Sequence, residues 1–157
     1  KDLGDAMAGR VRFLDESHSV IFTDKGIQFF STRVETSPEL VSQIPIEENI
    51  RSITYAQEKV GIVTDNVEGG DPYRLRIYDR EGSPVFEKTF NYQYTGFDID
   101  GDLVLLYNDS SCKVYNMTGT EKYNGTFDFT VSKVSAGRFP GTLLVMGPQK
   151  MTEIKLQ

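Results

Sequence analysis

The sequence of 157 residues predicts an all-β chain built from about four similar units, on three observations. Apolar and polar residues alternate over short runs, the period of a half-buried strand, and no long stretch carries a helical period. The runs are bounded by Gly, Asp, Asn and Ser, which favour turns. The sequence also repeats: YDREGSPVFEKTFNYQYTGF (78–97) lies over YNMTGTEKYNGTFDFTVSKV (115–134) without a gap. Tyr78 meets Tyr115, Gly82 meets Gly119, Thr89-Phe90 meets Thr126-Phe127, and Tyr92 lies over Phe129. Large apolar side chains keep their spacing while aromatic identity drifts, as a packing requirement would have it.

A second marker sets the number of units. An apolar run ending in a polar turn occurs as VIFTDKG (20–26), GIVTDNV (61–67), LLYNDSS (105–111) and LLVMGPQ (143–149). Four repeats follow, at about 9–47, 48–91, 92–128 and 129–157. In the first, strands are predicted near 11–14, 19–23, 27–32 and 41–46; Ser37-Pro38-Glu39-Leu40 has a helix-start pattern that Pro45 limits to a turn. In the second they fall near 50–55, 60–64, 73–78 and 85–90, where YRLRIY alternates cleanly and Asp79-Arg80-Glu81-Gly82 supplies the hairpin turn. The third offers 96–99, 103–107, 112–116 and 121–127, and the fourth only 131–135, 142–146 and 151–156. Runs such as Val20-Ile21-Phe22 are apolar on both faces, as in a sheet with neighbours on each side. Four-stranded units of this length, stacked face to face, are β-propeller blades. The predicted fold is therefore β-propeller-like: four antiparallel sheets, three strands in the last, forming a partial ring in one domain over 1–157. Because the chain opens at Lys1 without Met, it reads as a processed product or a fragment of a longer protein.

Composition narrows the function. A formal net charge of −6 repels phosphate backbones and anionic lipid surfaces, so neither nucleic acid nor direct membrane contact is expected. No run approaches the 18 or so apolar residues that span a bilayer. Arg74 and Arg76 alternate within a strand and read as a solvated face. Cys112 is the single cysteine and His18 the single histidine; no cysteine-hydrolase context surrounds either, and His18 reads as an exposed hairpin residue. No Gly-x-Ser-x-Gly elbow and no Gly-rich phosphate loop occurs. Asn108, Asn116 and Asn124 each open an N-x-S/T triplet, read here as turn chemistry.

Two segments stand out as candidate sites. Asp98, Asp100 and Asp102 alternate around a glycine, a donor set that calcium would accept, although the twelfth position of the loop holds Asp109 instead of Glu. A strand, an Asp-Gly turn and a second strand explain the same residues. Asp65 to Asp71 forms a longer loop than its counterparts, and Asp65, Glu68, Asp71 and Tyr73 are its candidate ligand-binding residues. The aromatic stretch TFNYQYTGF (89–97) reads as packing between units in preference to a carbohydrate platform.

IRSITYAQEKVGIVTDN (50–66), YDREG (78–82), LLYNDSSCKVYNMTG (105–119), TFDFTVSKV (126–134) and the terminal MTEIKLQ carry a resemblance to a bacterial family. The chain resembles the C-terminal part of the clostridial family known as domain of unknown function 5711. The resemblance implies an extracytoplasmic, cell-surface protein anchored by an N-terminal helix absent from this chain, with a propeller-like body about twice this length. It carries over no functional residues. The expected function is a non-enzymatic module binding a protein or cell-surface ligand, with no cofactor. The alternatives are a calcium-assisted glycan hydrolase or lyase, and an assembly module completing a ring as a homodimer.

Overall fold

The computed structural model describes residues 8–32, 37–56 and 58–157. Among them there are fifteen strands and no helix, arranged as four antiparallel sheets in simple meanders. The first contains β1 (Ala8–Phe13), β2 (His18–Thr23), β3 (Gly26–Ser31) and β4 (Glu39–Pro45). The second contains β5 (Ile50–Ala56), β6 (Lys59–Asp65), β7 (Tyr73–Asp79) and β8 (Pro84–Phe90). The third contains β9 (Gly96–Asp100), β10 (Leu103–Tyr107), β11 (Ser111–Asn116) and β12 (Glu121–Thr126). The fourth has three strands: β13 (Lys133–Ala136), β14 (Thr142–Met146) and β15 (Met151–Lys155). The all-β class and the 4, 4, 4, 3 distribution of strands are thus as the sequence predicts. The helix-start pattern at 37–40 is not realised, because Glu39 and Leu40 already belong to β4, where Leu40 pairs with Phe30.

The chain divides into two compact units, Lys1–Phe90 and Asn91–Gln157. In the first unit, Val20 and Phe22 of β2 and Ile27 and Phe29 of β3 pack against Val60 and Ile62 of β6 and Tyr78 of β7. Ile46 seals the linker between the sheets, and the Phe29 and Tyr78 rings lie 6.2 Å apart. In the second unit, Leu105, Cys112 and Val114 pack against Val134, Leu143 and Val145, with Tyr123, Phe127 and Phe129 at the margin. Each cluster is the alternate-residue face of its strands, so the period-2 pattern and the burial are one phenomenon.

The repeat extends to individual hydrogen bonds. In the β7–β8 turn the Asp79 carboxylate accepts from the backbone N–H of Glu81 and of Ser83, and Gly82 has φ +84°. In the β11–β12 turn, Asn116 Oδ1 accepts from the N–H of Thr118 and of Thr120, and Gly119 has φ +79°. An Asx-type closure at the first position and a left-handed glycine at the fourth are what this turn requires.

Candidate functional site

Between the first two sheets lies a charged cleft of about 560 Å³. Arg74, Arg76 and Tyr78 occupy alternate positions of β7 and so share one sheet face, the one whose Val60, Ile62 and Tyr78 pack against the first sheet. The sequence reading of both arginines as a solvated face is therefore corrected: Arg76 is 8% exposed. Alternation gives the side of the strand, and the first sheet covers that side.

Glu48, in the linker after β4, joins both arginines. Its carboxylate accepts from Arg76 Nη2 and lies 3.6 Å from Arg74 Nη1. Arg74 also pairs with Glu87 of β8 and lies 3.5 Å from Glu68 of the 66–72 loop. Burial works against ionisation of Glu48, but its own backbone N–H and the charges of Arg76 and Arg74 outweigh it and hold the carboxyl below its usual range. The Glu87 hydrogen bond raises the pKa of Arg74 in turn, against burial, with Glu87, Glu68 and Glu48 adding to it. Burial raises the Tyr78 phenol, so it stays neutral and polar at the cleft wall. Two polar atoms beneath this network, both closed to solvent, have no hydrogen-bond partner among the described residues: Arg76 Nε and the hydroxyl of fully buried Thr64, on residues at diagonal positions of β6 and β7.

The predicted loop forms one rim of this cleft. Asn66 Nδ2 donates to the carbonyls of Gly69 and Asp71, Asn66 Oδ1 accepts from Glu68 N–H, and Asn66 N–H donates to the Pro72 carbonyl. Gly69 and Gly70, at φ +87° and +83°, make the reversal. Of the four loop residues singled out, Glu68 and the adjacent Val67 reach the cleft. Asp65 binds Arg51 at 2.6 Å, Asp71 accepts from the Thr89 hydroxyl, and Tyr73 packs on Phe90 at 5.3 Å. Those three brace the loop.

The other candidates are dispersed. No three His, Cys, Asp or Glu side chains among the described residues are placed to hold a metal. Asp98 and Asp100 share a face of β9, Asp100 accepts from the backbone N–H of Ala136, and Asp102 points outward from the turn. Cys112 is fully buried on β11 and burial pushes its thiol up to about 12, so it is held as the neutral thiol. The aromatic stretch is framework: Phe90 is buried, the Tyr92 hydroxyl bonds that of Ser111 at 2.8 Å, and Tyr94 meets Phe97 edge-on.

His18 is also corrected. It begins β2, and its side chain is 11% exposed. Its Nδ1 lies 2.9 Å from Asp15 Oδ1 and 3.0 Å from the Ser17 hydroxyl. A serine-histidine-aspartate relay needs the two partners on opposite ring nitrogens. Here both share Nδ1, so the three residues form a turn brace, and Arg80 Nη1 ties Asp15 to the second sheet at 3.0 Å.

Burial opposes the Asp15 charge, yet hydrogen bonds from the Ser17 N–H, His18, Arg80 and the Ser17 hydroxyl hold its pKa far below the usual 3.8. A depressed carboxylate contributes stability above its unfolded pKa, and loses it as pH falls through the folded one. Asp15→Asn is therefore expected to be less stable than wild type at pH 7, with the difference shrinking below about pH 4. Urea midpoints across pH 7 to 2 check this, and a pH-independent gap would contradict it.

The architecture is that of β-propeller blades. The chain has a TM-score of 0.57 to the crystal structure of the WD40 β-propeller domain of Doa1, at 13% identity over 96% of this chain and 52% of that one. The BBS1N chain crystallised in complex with ARL6DN gives 0.55 at 10% identity, again over 96% and 52%. A functionally unknown protein from Desulfotomaculum acetoxidans gives 0.52 at 14%, over 95% and 55%. This chain thus spans about half the length of the propellers it resembles, and at these identities the likeness shows the fold alone. No curated protein matches its sequence. The chain belongs to the family of unknown function DUF5711, whose model matches residues 1–156.

Proposed function

We propose that this protein is a non-enzymatic binding module that holds a protein partner in the cleft between its first two sheets. The observation carrying this reading is the cleft itself, about 560 Å³ lined by Glu47, Val67, Arg74 and Glu87, with Arg76 fixed by Glu48 at its base. The Asn66-pinned loop beside it is already ordered for contact, which lowers the entropic cost of binding. Against Glu48 as the general acid of a glycan-cleaving enzyme stands its pKa: such an acid needs a raised value, and this carboxyl is held lowered, against burial, by its own backbone N–H and by its arginines.

A peptide array probed with wild type and with an Arg74→Gln/Glu68→Gln variant tests this. Spots that weaken on the variant support cleft binding; a pattern identical for both proteins overturns it.

A second reading, self-association, is favoured by the first sheet's other face. The register aligns Val11 with Ile21, and Phe30 with Leu40, on the side of Phe13. Val11, Phe13 and Leu40 are 50%, 81% and 42% exposed there. A second copy seated on this face would cover these apolar side chains. Light scattering on a sizing column is expected to give twice the chain mass, and a single chain mass for Phe13→Asp. A monomeric wild type contradicts this reading.

A further inference from the structure

Resting on the cleft-binding reading, we infer that the cleft recognises a basic peptide segment, taking an arginine or lysine side chain between Glu47, Glu68 and Glu87. The charge count decides the sign of the guest. Glu47, Glu48, Glu68 and Glu87 supply four negative charges and Arg74 and Arg76 two positive, so the cleft carries two excess negative charges. Their placement decides it further. The arginines sit inside, with side chains 21% and 10% exposed, and are already taken by carboxylates. The accessible groups are acceptors: Glu68 is 71% exposed, Glu87 is 46% exposed, and Glu47 is exposed with no ion pair among the described residues. A carboxylate has about four lone-pair sites, so each can take a further donor without releasing Arg74. An anion would have to displace a glutamate first.

The walls fit the rest of such a side chain. Val67, 74% exposed, and exposed Pro45 flank the cleft, and an arginine or lysine stem buries its methylenes along surfaces of this kind while its head stays with the carboxylates. The chain's overall charge of −6 steers basic partners toward it at low ionic strength.

The probes are three blocked nine-residue peptides, Gly/Ser-rich with a central Arg-Gly-Arg, Lys-Gly-Lys or Glu-Gly-Glu, and spermidine. Each is titrated into the 15N-labelled full chain and read from amide shifts. Signals of Glu48, Val67, Arg74 and Glu87 are expected to move with the arginine and lysine peptides and not with the glutamate one. Affinity is expected to fall about tenfold in Glu68→Gln/Glu87→Gln, and severalfold between 50 and 300 mM salt, as screening of partly exposed pairs requires. Both substitutions are at exposed positions, and the spectrum itself reports whether the variant is folded. Cleft shifts with the glutamate peptide alone would overturn the basic-segment inference while leaving cleft binding intact. Spermidine binding as tightly as the peptides would show a site that reads a bare cation and would overturn the peptide assignment. Silence of the cleft signals with all four probes would overturn the inference, and the array then decides the broader reading independently.

Discussion

Glu48→Ala is expected to destabilise the protein by about 2–3 kcal/mol, the largest single loss among substitutions in the cleft. The removed carboxylate is the acceptor for Arg76, whose side chain is 10% exposed and which would then be a buried cation with no counter-charge in contact. Fully sealed pairs lose roughly 3–5 kcal/mol on such a deletion, and the open mouth here admits water that softens the loss. Arg76→Met is expected to lose less than about 1 kcal/mol, since it removes the charge, removes the unpaired Nε and keeps most of the volume. Glu48→Ala in the Arg76→Met background should then be milder than Glu48→Ala alone. Urea unfolding of the four proteins completes the cycle. Additive losses, or Arg76→Met as damaging as Glu48→Ala, would show that the pair does not hold the cleft together.

Gly26→Ala is expected to lose about 3 kcal/mol or more, and for an unrelated reason. Gly26 has φ +140°, which L side chains rarely adopt, and a Cβ there would stand 2.1 Å from the Ile44 carbonyl oxygen and 3.0 Å from the Ile46 nitrogen. Both obstacles are backbone, so neither can rotate aside. Strained backbone alone costs about 1–3 kcal/mol, and the collision adds to it. Gly101→Ala is the matched control: φ is +58° with nothing within 4 Å, so about 1 kcal/mol is expected. Equal losses at the two sites would refute the steric account. The same crowding fixes where the linker leaves β4, because Ile46 N–H donates to the Lys25 carbonyl. Gly26 thereby also places Glu48, two residues on.

The strands were legible because a sheet imposes its period on the chain directly. Lys59–Asp65 and Leu103–Tyr107 read as strands from their apolar content, and they are the inner strands of their sheets. The cleft was less legible, for a specific reason. Glu48 meets Arg76 across 28 positions and Arg74 meets Glu87 across 13, and no local pattern encodes those distances. Asp15, Ser17 and His18 were adjacent in plain view, but their roles depend on which ring nitrogen faces which partner, and only coordinates reveal that. One signal for Arg76 was present in the repeat. Extending the alignment of Tyr78 over Tyr115 places Arg76 over Lys113, which is also mostly covered, at 17% exposure, and lies 3.5 Å from Glu121. A cation recurring at one position of a repeat marks a place where the fold expects a paired charge.

The paired turns at Asp79 and Asn116 have a consequence for how such a chain can grow over generations. Each closes with its own carboxylate or amide and its own left-handed glycine, so most of the chemistry that shapes the hairpin travels inside the hairpin. A copied segment arrives able to form its turn before it has neighbours suited to it, and adaptation is left to the packing faces alone. The 78–97 and 115–134 segments keep what closes the turn, the glycine and a side-chain oxygen at Asp79 and Asn116, while Arg80 and Glu81 stand over Met117 and Thr118.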